Sequence, residues 1–302
     1  MTQAVQMPDT GRHVGRPGRI LLWILALAVM LTAAAYQRRT GPTYPVNGSV
    51  SWAGEALEYE LLRSHETTGP APVVLPYPGD GPVTLHWRRY PTAEAFRALP
   101  LRIEDDTARG TLPVQPAAGK VEYYLEVATP DGTVRIPSGD ETIILRYKGP
   151  VPLGVLLPHV LLMFLSMLVG VRTGLAALIR TGETRTLAWI TLAGLTLGGM
   201  ILGPVVQEYA FGEFWTGVPL GWDLTDNKTL VMWLGWLVAC LALGPPRRAV
   251  TSARARAGRA LVLGAAALML VVYLIPHSLA GSQLDYEQLD RGVPAEDAVT
   301  TG

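Results

Sequence analysis

Val151-Pro-Leu-Gly-Val-Leu-Leu-Pro-His-Val-Leu-Leu-Met-Phe-Leu-Ser-Met-Leu-Val-Gly-Val171 decides the fold class. It holds one ionisable side chain, His159, in a stretch that is otherwise apolar or small. A straight transmembrane helix needs about 20 such residues, with about 17 tolerated. Working outward, residues 187–206 meet that length easily, and 20–36 and 260–276 sit at its lower limit. Residues 230–243 are shorter and need a turn borrowed from 226–229. Five membrane spans are therefore expected. The whole chain agrees: of 302 residues, 49% are hydrophobic and only 17% charged, less charge than a soluble domain carries.

Arginine sets the expected orientation, because basic residues collect on the cytoplasmic side of membrane spans. Arg12, Arg16 and Arg19 precede the first span, and Arg172, Arg180 and Arg185 lie between the second and third. Arg247, Arg248, Arg254, Arg256 and Arg259 lie between the fourth and fifth. If each span crosses once, all three groups fall on one face. That predicts a multi-pass protein of the inner (plasma) membrane, with a cytoplasmic basic N-terminus over 1–19. Segments 37–150, 207–228 and 277–302 then lie outside, the last an acidic tail with Asp285, Glu287, Asp290, Glu296 and Asp297. The first span has a second reading. An Arg-rich start, an apolar stretch and Ala33-Ala34-Ala35 fit a cleavable signal peptide. Its apolar run through Tyr36 favours a retained anchor. Arg172 is expected to snorkel to the cytoplasmic interface. It pairs instead with a carboxylate or an anionic head group if the second helix starts late, near Pro158, and places it within the membrane.

The formal net charge is zero, and nothing in its distribution points to nucleic acid. The single cysteine, Cys240, rules out a disulfide framework and reads as a packing residue in the fourth span.

Residues 37–150 follow a different pattern. Pro and Gly recur at short intervals between runs that favour strands, at 49–52, 57–63, 73–75, 83–89, 99–104, 120–127 and 141–147. Val83-Thr-Leu-His-Trp-Arg and Lys120-Val-Glu-Tyr-Tyr-Leu-Glu-Val alternate apolar and polar, the period of a half-buried strand. Thr129-Pro-Asp-Gly132 is a hairpin turn. The expected fold is thus a membrane α-helical protein of five transmembrane helices, with an all-β sandwich inserted on the outer face. Trp52 near the start and Tyr123-Tyr-Leu-Glu-Val late in the segment stand where immunoglobulin-like and fibronectin type III domains have core aromatics. The segment resembles those families in architecture. The resemblance implies a protein-binding or spacer domain. His65 and His86 read as surface or internally bonded strand residues.

Residues 151–276 read as a four-helix transmembrane bundle carrying the outer loop 207–228. The core of that loop is Phe211-Gly-Glu-Phe-Trp-Thr-Gly-Val-Pro-Leu-Gly-Trp-Asp-Leu-Thr-Asp-Asn-Lys228. Aromatic and charged side chains are concentrated here, between two apolar stretches, so the loop is the expected functional surface. Phe211, Glu213, Phe214, Asp226 and Lys228 are the residues expected to meet a protein partner. Trp and Phe also suit the headgroup layer of the lipid bilayer, and Thr225, Asp226 or Asn227 fits a cap for the fourth span. Gly212-Glu-Phe-Trp215, Gly221-Trp-Asp223 and Trp233-Leu-Gly-Trp236 resemble the tryptophan-rich motif of haem-handling membrane proteins of cytochrome c biogenesis. The spacing of Trp215 and Trp222 and the Asp226-Asn-Lys run depart from that family's pattern. The resemblance implies haem presented by Trp215, Trp222 and Asp223, with His159 and His277 as axial ligands, since imidazole suits haem iron.

No nucleophile–base pair, P-loop, dinucleotide fingerprint or zinc-binding histidine pair occurs in the sequence. Gly194, Gly198 and Gly199 on the third span read as close helix packing. Two functions remain. One is a non-catalytic accessory or assembly component of an envelope complex, docking a partner through the sandwich and the Trp-rich loop. The other is a haem-binding or haem-presenting protein.

Overall fold

The computed structural model describes residues 14–52, 55–246, 251–277 and 281–300. Arg12, Arg247 and Arg248 lie outside the described residues. The chain is a polytopic membrane protein. Five helices are long and apolar enough to cross a bilayer, and a β-rich region is inserted between the first two.

The spans are α1 (Arg16–Thr40), α2 (Leu153–Ile179), a third helix, α5 (Leu224–Leu243) and α6 (Ser252–Leu274). The third begins as α3 (Thr184–Leu195), widens into a π-helical turn over Thr196–Leu202 and finishes as α4 (Gly203–Phe211). Every span reaches beyond its apolar run, because a helix continues until its backbone meets a breaker or a cap. The left-handed Arg180 closes α2, and Asp223 opens α5 by accepting from the amides of Thr225 and Asp226 at 2.7 and 3.2 Å. A late start of α2 at Pro158 does not occur. The helix opens at Leu153 behind Pro152, and Pro158 sits inside it.

Small residues bring the helices together. A Cβ on Gly194 would collide with the Ser166 hydroxyl, and one on Gly198 would stand 2.9 Å from Leu162. Ser166 itself donates to the Leu162 carbonyl at 2.6 Å. Around this contact Met167, Leu195, Trp236, Cys240, Val262 and Met269 form the buried core. Cys240 is a packing residue there.

The chain divides into two compact units. The helical unit holds the spans. The β unit gathers Gly41–Val151, Gln207–Thr216 and the described residues of Ala280–Gly302. These three segments follow the first, third and fifth spans in sequence.

Within the β unit the inserted strands are β1 (Val46–Trp52), β2 (Glu55–Leu61), β3 (Ser64–Glu66), β4 (Ala71–Pro76), β5 (Val83–Tyr90), β6 (Arg97–Pro100), β7 (Arg102–Glu104), β8 (Thr107–Leu112), β9 (Lys120–Thr129), β10 (Gly132–Ile136) and β11 (Ile143–Lys148). One sheet runs β3-β11-β9-β5-β6, with β10 also paired to β9. A second runs β4-β8-β7, and β1 pairs with β2. Alternation decides which face is buried. Val121, Tyr123, Leu125 and Val127 of β9 meet Val73 and Leu75 of β4, Leu85 of β5 and Leu145 of β11 in one core. The Thr129–Gly132 turn joins β9 to β10, with Gly132 at φ 129°. β3 pairs with β11 in parallel, a connection the apolar pattern does not announce.

The C-terminal segment is a folded piece of the β unit. β12 (Gln283–Leu284) pairs with β13 (Val299–Thr300), and α7 (Tyr286–Asp290) lies between them. Leu284, Tyr286 and Ala298 form a small core. Arg89 donates to both carboxylate oxygens of Asp290 at 2.7 Å, and the Tyr286 hydroxyl donates to the Lys120 carbonyl at 2.8 Å.

Candidate functional site

The residues singled out by sequence divide between the two units. His159, His277, Trp222, Asp223, Asp226 and Lys228 belong to the helical unit, and Phe211, Glu213, Phe214 and Trp215 to the β unit.

In the helical unit three of them converge where α2 begins and α6 ends. His159 lies about 9 Å along α2 from Leu153. Its Nδ1 is 2.8 Å from the Gly198 carbonyl in the π-helical turn. A carbonyl only accepts, so Nδ1 carries the proton and Nε2 keeps its lone pair. His277 follows α6, is exposed, and lies within electrostatic range of both His159 and Lys228. Lys228 is buried, and its ammonium donates to the carbonyls of Ile275 and Pro276 at 2.7 and 3.1 Å. These groups close the C-terminal end of α6, where backbone carbonyls lack helical partners. The Asp223 carboxylate acts on Lys228 at longer range while capping α5.

Most polar side chains of the Trp-rich segment are thus occupied inside the protein. Asp226 is buried in the first turn of α5, and the Asn227 side-chain oxygen accepts from the Val218 amide at 2.8 Å. The apolar side chains do the opposite: Trp222 is 75% exposed, Leu220 71% and Phe214 57%. Trp233 and Trp236 turn inward. Trp233 donates to the Thr196 hydroxyl at 2.9 Å, and Trp236 lies wholly inside the helical core.

In the β unit, Phe211 takes the Arg146 guanidinium over its ring at 3.9 Å, and Glu213 and Trp215 are half-buried. His86 stacks on Tyr124 with ring centres 4.6 Å apart and lies 3.0 Å from the Glu126 carboxylate. His65 meets the edge of Tyr147. A cleft of about 690 Å³ opens beside the C-terminal segment, lined by Arg89, Thr92, Glu94, Asp285, Tyr286 and Asp290 among others. Arg89 bonds Glu94 as well as Asp290, and Asp290, held by those bonds, titrates below the usual carboxylate range. Burial, and then the charge of Arg146, pushes Lys120 down to about 8.

At the far end of the helical unit the expectation for Arg172 is corrected. It does not snorkel. Its side chain is wholly buried, and Nη2 donates to Glu183 at 2.6 Å. A carboxylate beyond the end of the same helix outcompetes the interface, because a buried guanidinium without a partner is costly.

Among the described residues no group of three or more His, Cys, Asp or Glu side chains is placed to hold a metal ion. Sequence reading missed two arrangements, Lys228 on the end of α6 and the Arg89–Asp290 clasp, both joining residues distant in sequence, and it offered Arg172 a carboxylate only with a late start of α2. The cap expected at Thr225, Asp226 or Asn227 is Asp223. No protein-family model matches the chain, and no curated protein matches it.

Proposed function

We propose that this protein is a non-catalytic accessory or assembly component of an envelope complex, docking a partner through its β unit and its aromatic segment. One observation carries the reading. Leu220 and Trp222 of the helical unit stand exposed while the polar side chains near them in sequence serve that unit's own helix ends. An exposed aromatic and aliphatic surface over a fixed scaffold is the composition that protein interfaces favour at their centres. The arginine distribution supports an inner-membrane protein with a cytoplasmic N-terminus and the β unit outside. An immunoglobulin-like or fibronectin III-like role for the inserted strands fits this reading, since such modules dock proteins.

A second reading is supported by His159. Its Nδ1 proton is held by Gly198, so Nε2 points its lone pair away from that bond, with His277 nearby. Fixing one ring nitrogen to orient the other is how proteins prepare imidazole for a metal. This reading makes the protein a haem binder or presenter, with His159 and His277 as ligands and Trp215, Trp222 and Asp223 around them.

An absorption spectrum of the detergent-purified protein, prepared with haem supplied and recorded oxidised and then reduced, separates the two. The docking reading expects no Soret band. A Soret band at about one haem per chain, lost in His159→Ala and His277→Ala, would replace it with the second reading.

A further inference from the structure

Where α1 begins and α2 finishes, a second buried cation is only partly satisfied. Arg172 has no exposed surface. Its Nη2 holds Glu183 Oε2, and the other oxygen of that carboxylate lies 3.3 Å from Arg19 Nη1. Trp23 covers the guanidinium, 5.5 Å from ring centre to Cζ. Nε and Nη1 meet no acceptor among the described residues. Buried charged donors without acceptors cost more than neutral ones. Two arginines against one glutamate also leave a net charge of +1 in the cluster.

Depth and access say what completes the cluster. Arg172 lies about 28 Å along α2 from Leu153, close to the roughly 30 Å thickness of a hydrocarbon layer. It therefore sits at the headgroup level of the leaflet in which α1 begins. The anions concentrated at that level are lipid phosphates, and basic sites between helices take such head groups. The way in lies along α1. Trp23 is itself partly exposed, and Ile20, Leu21 and Ile24 beside it present an open apolar face.

We propose that Arg172 and Arg19 form a phosphate site for an anionic phospholipid. The phosphate enters as Trp23 swings aside and accepts from Nη1 of Arg172 and from Arg19, while Glu183 keeps Nη2. The acyl chains lie along Ile20, Leu21 and Ile24 of α1. Recognition is of a phosphate ester, and the apolar face selects the lipid over free phosphate.

Native mass spectrometry of the full chain in detergent, with phosphatidylglycerol or phosphatidylcholine added, tests this. The expected result is about tenfold preferential retention of phosphatidylglycerol. That preference disappears in Arg172→Met. It survives in Arg256→Gln, which removes the same charge from an exposed position near the start of α6. Trp23→Ala keeps the preference and releases lipid faster. Should Arg172→Met fail to fold, the wild-type preference and the Trp23→Ala kinetics still decide. No preference in the wild type, or one unchanged in Arg172→Met, overturns the site. Thermal stabilisation by sodium phosphate equal to that by phosphatidylglycerol overturns the lipid assignment.

Discussion

Lys228 and Arg172 are both buried cations of the helical unit, and they are treated differently. Lys228 spends its ammonium on two backbone carbonyls that the end of α6 leaves open. Arg172 spends one nitrogen on Glu183 and leaves two without an acceptor among the described residues. A compact ammonium can rotate its three donors onto whatever carbonyls lie near. A planar guanidinium fixes its five donors in a fork and needs matching acceptors. The first leaves no donor nitrogen without an acceptor and reads as structure. The second reads as half of a site. Burial and charge were the same clue in both, and only the count of occupied donors separates them.

Mutation at the two ends should rank accordingly. Glu183→Ala strands a buried guanidinium and should cost about 3 kcal/mol or more, read as a lowered unfolding midpoint in detergent. The double variant Arg172→Met/Glu183→Ala should recover part of that loss, and a strictly additive result would deny the pair. Lys228→Met removes charged hydrogen bonds at the end of α6 and should cost about 2 kcal/mol. If it exceeded Glu183→Ala, the ranking of the two cations would be reversed. Asp223→Ala removes a helix cap and should cost about 1 kcal/mol, with Asp223→Asn close to wild type because asparagine also caps. No rescue by asparagine would mean that the charge of Asp223, rather than its cap, matters.

The smallest effect concerns the clasp on the β unit. The Arg89 bonds hold Asp290 below its ordinary value, so its contribution is complete above the unfolded carboxylate range, near pH 4. It is lost as pH falls through the lower folded value. Lys120 has the same sign at higher pH. Its folded value of about 8 lies below the unfolded value of 10.5, so the unfolded chain binds more protons between them and stability rises across that window. The protection of α7 amides, taken relative to the intrinsic exchange rate at each pH, should therefore fall below about pH 4 as Asp290 protonates. The loss of protection should be smaller in Asp290→Asn, and equal pH dependence in both proteins would remove the clasp from the account.

The spans were legible because hydropathy is a local, one-dimensional signal, and most strands because alternation is too. β10 could have been read from its turn: Gly132 needs a returning strand, and Thr133-Val-Arg-Ile136 supplies one. β8 was hidden by Arg109 and Gly110 in its middle, and β3 by its three-residue length. The C-terminal segment looked like a charged tail because Leu284, Tyr286 and Ala298 are too sparse to show a period. Its carboxylates fold because Arg89 lies far back in the sequence. In the aromatic segment the sequence shows composition and not which way each side chain turns. Sequence shows that Lys228 and Trp222 are neighbours in one loop. It does not show that one turns inward to cap a helix and the other turns out.

Photocross-linking from the exposed Leu220 and Trp222 side chains tests docking. A photoreactive residue placed at Leu220 or Trp222, irradiated in native membranes, should give a discrete protein adduct at both positions, absent when the residue is placed at Leu161, exposed on the apolar span α2. Adducts with lipid alone at positions 220 and 222 would contradict docking and leave the aromatic segment as an anchor in the headgroup layer.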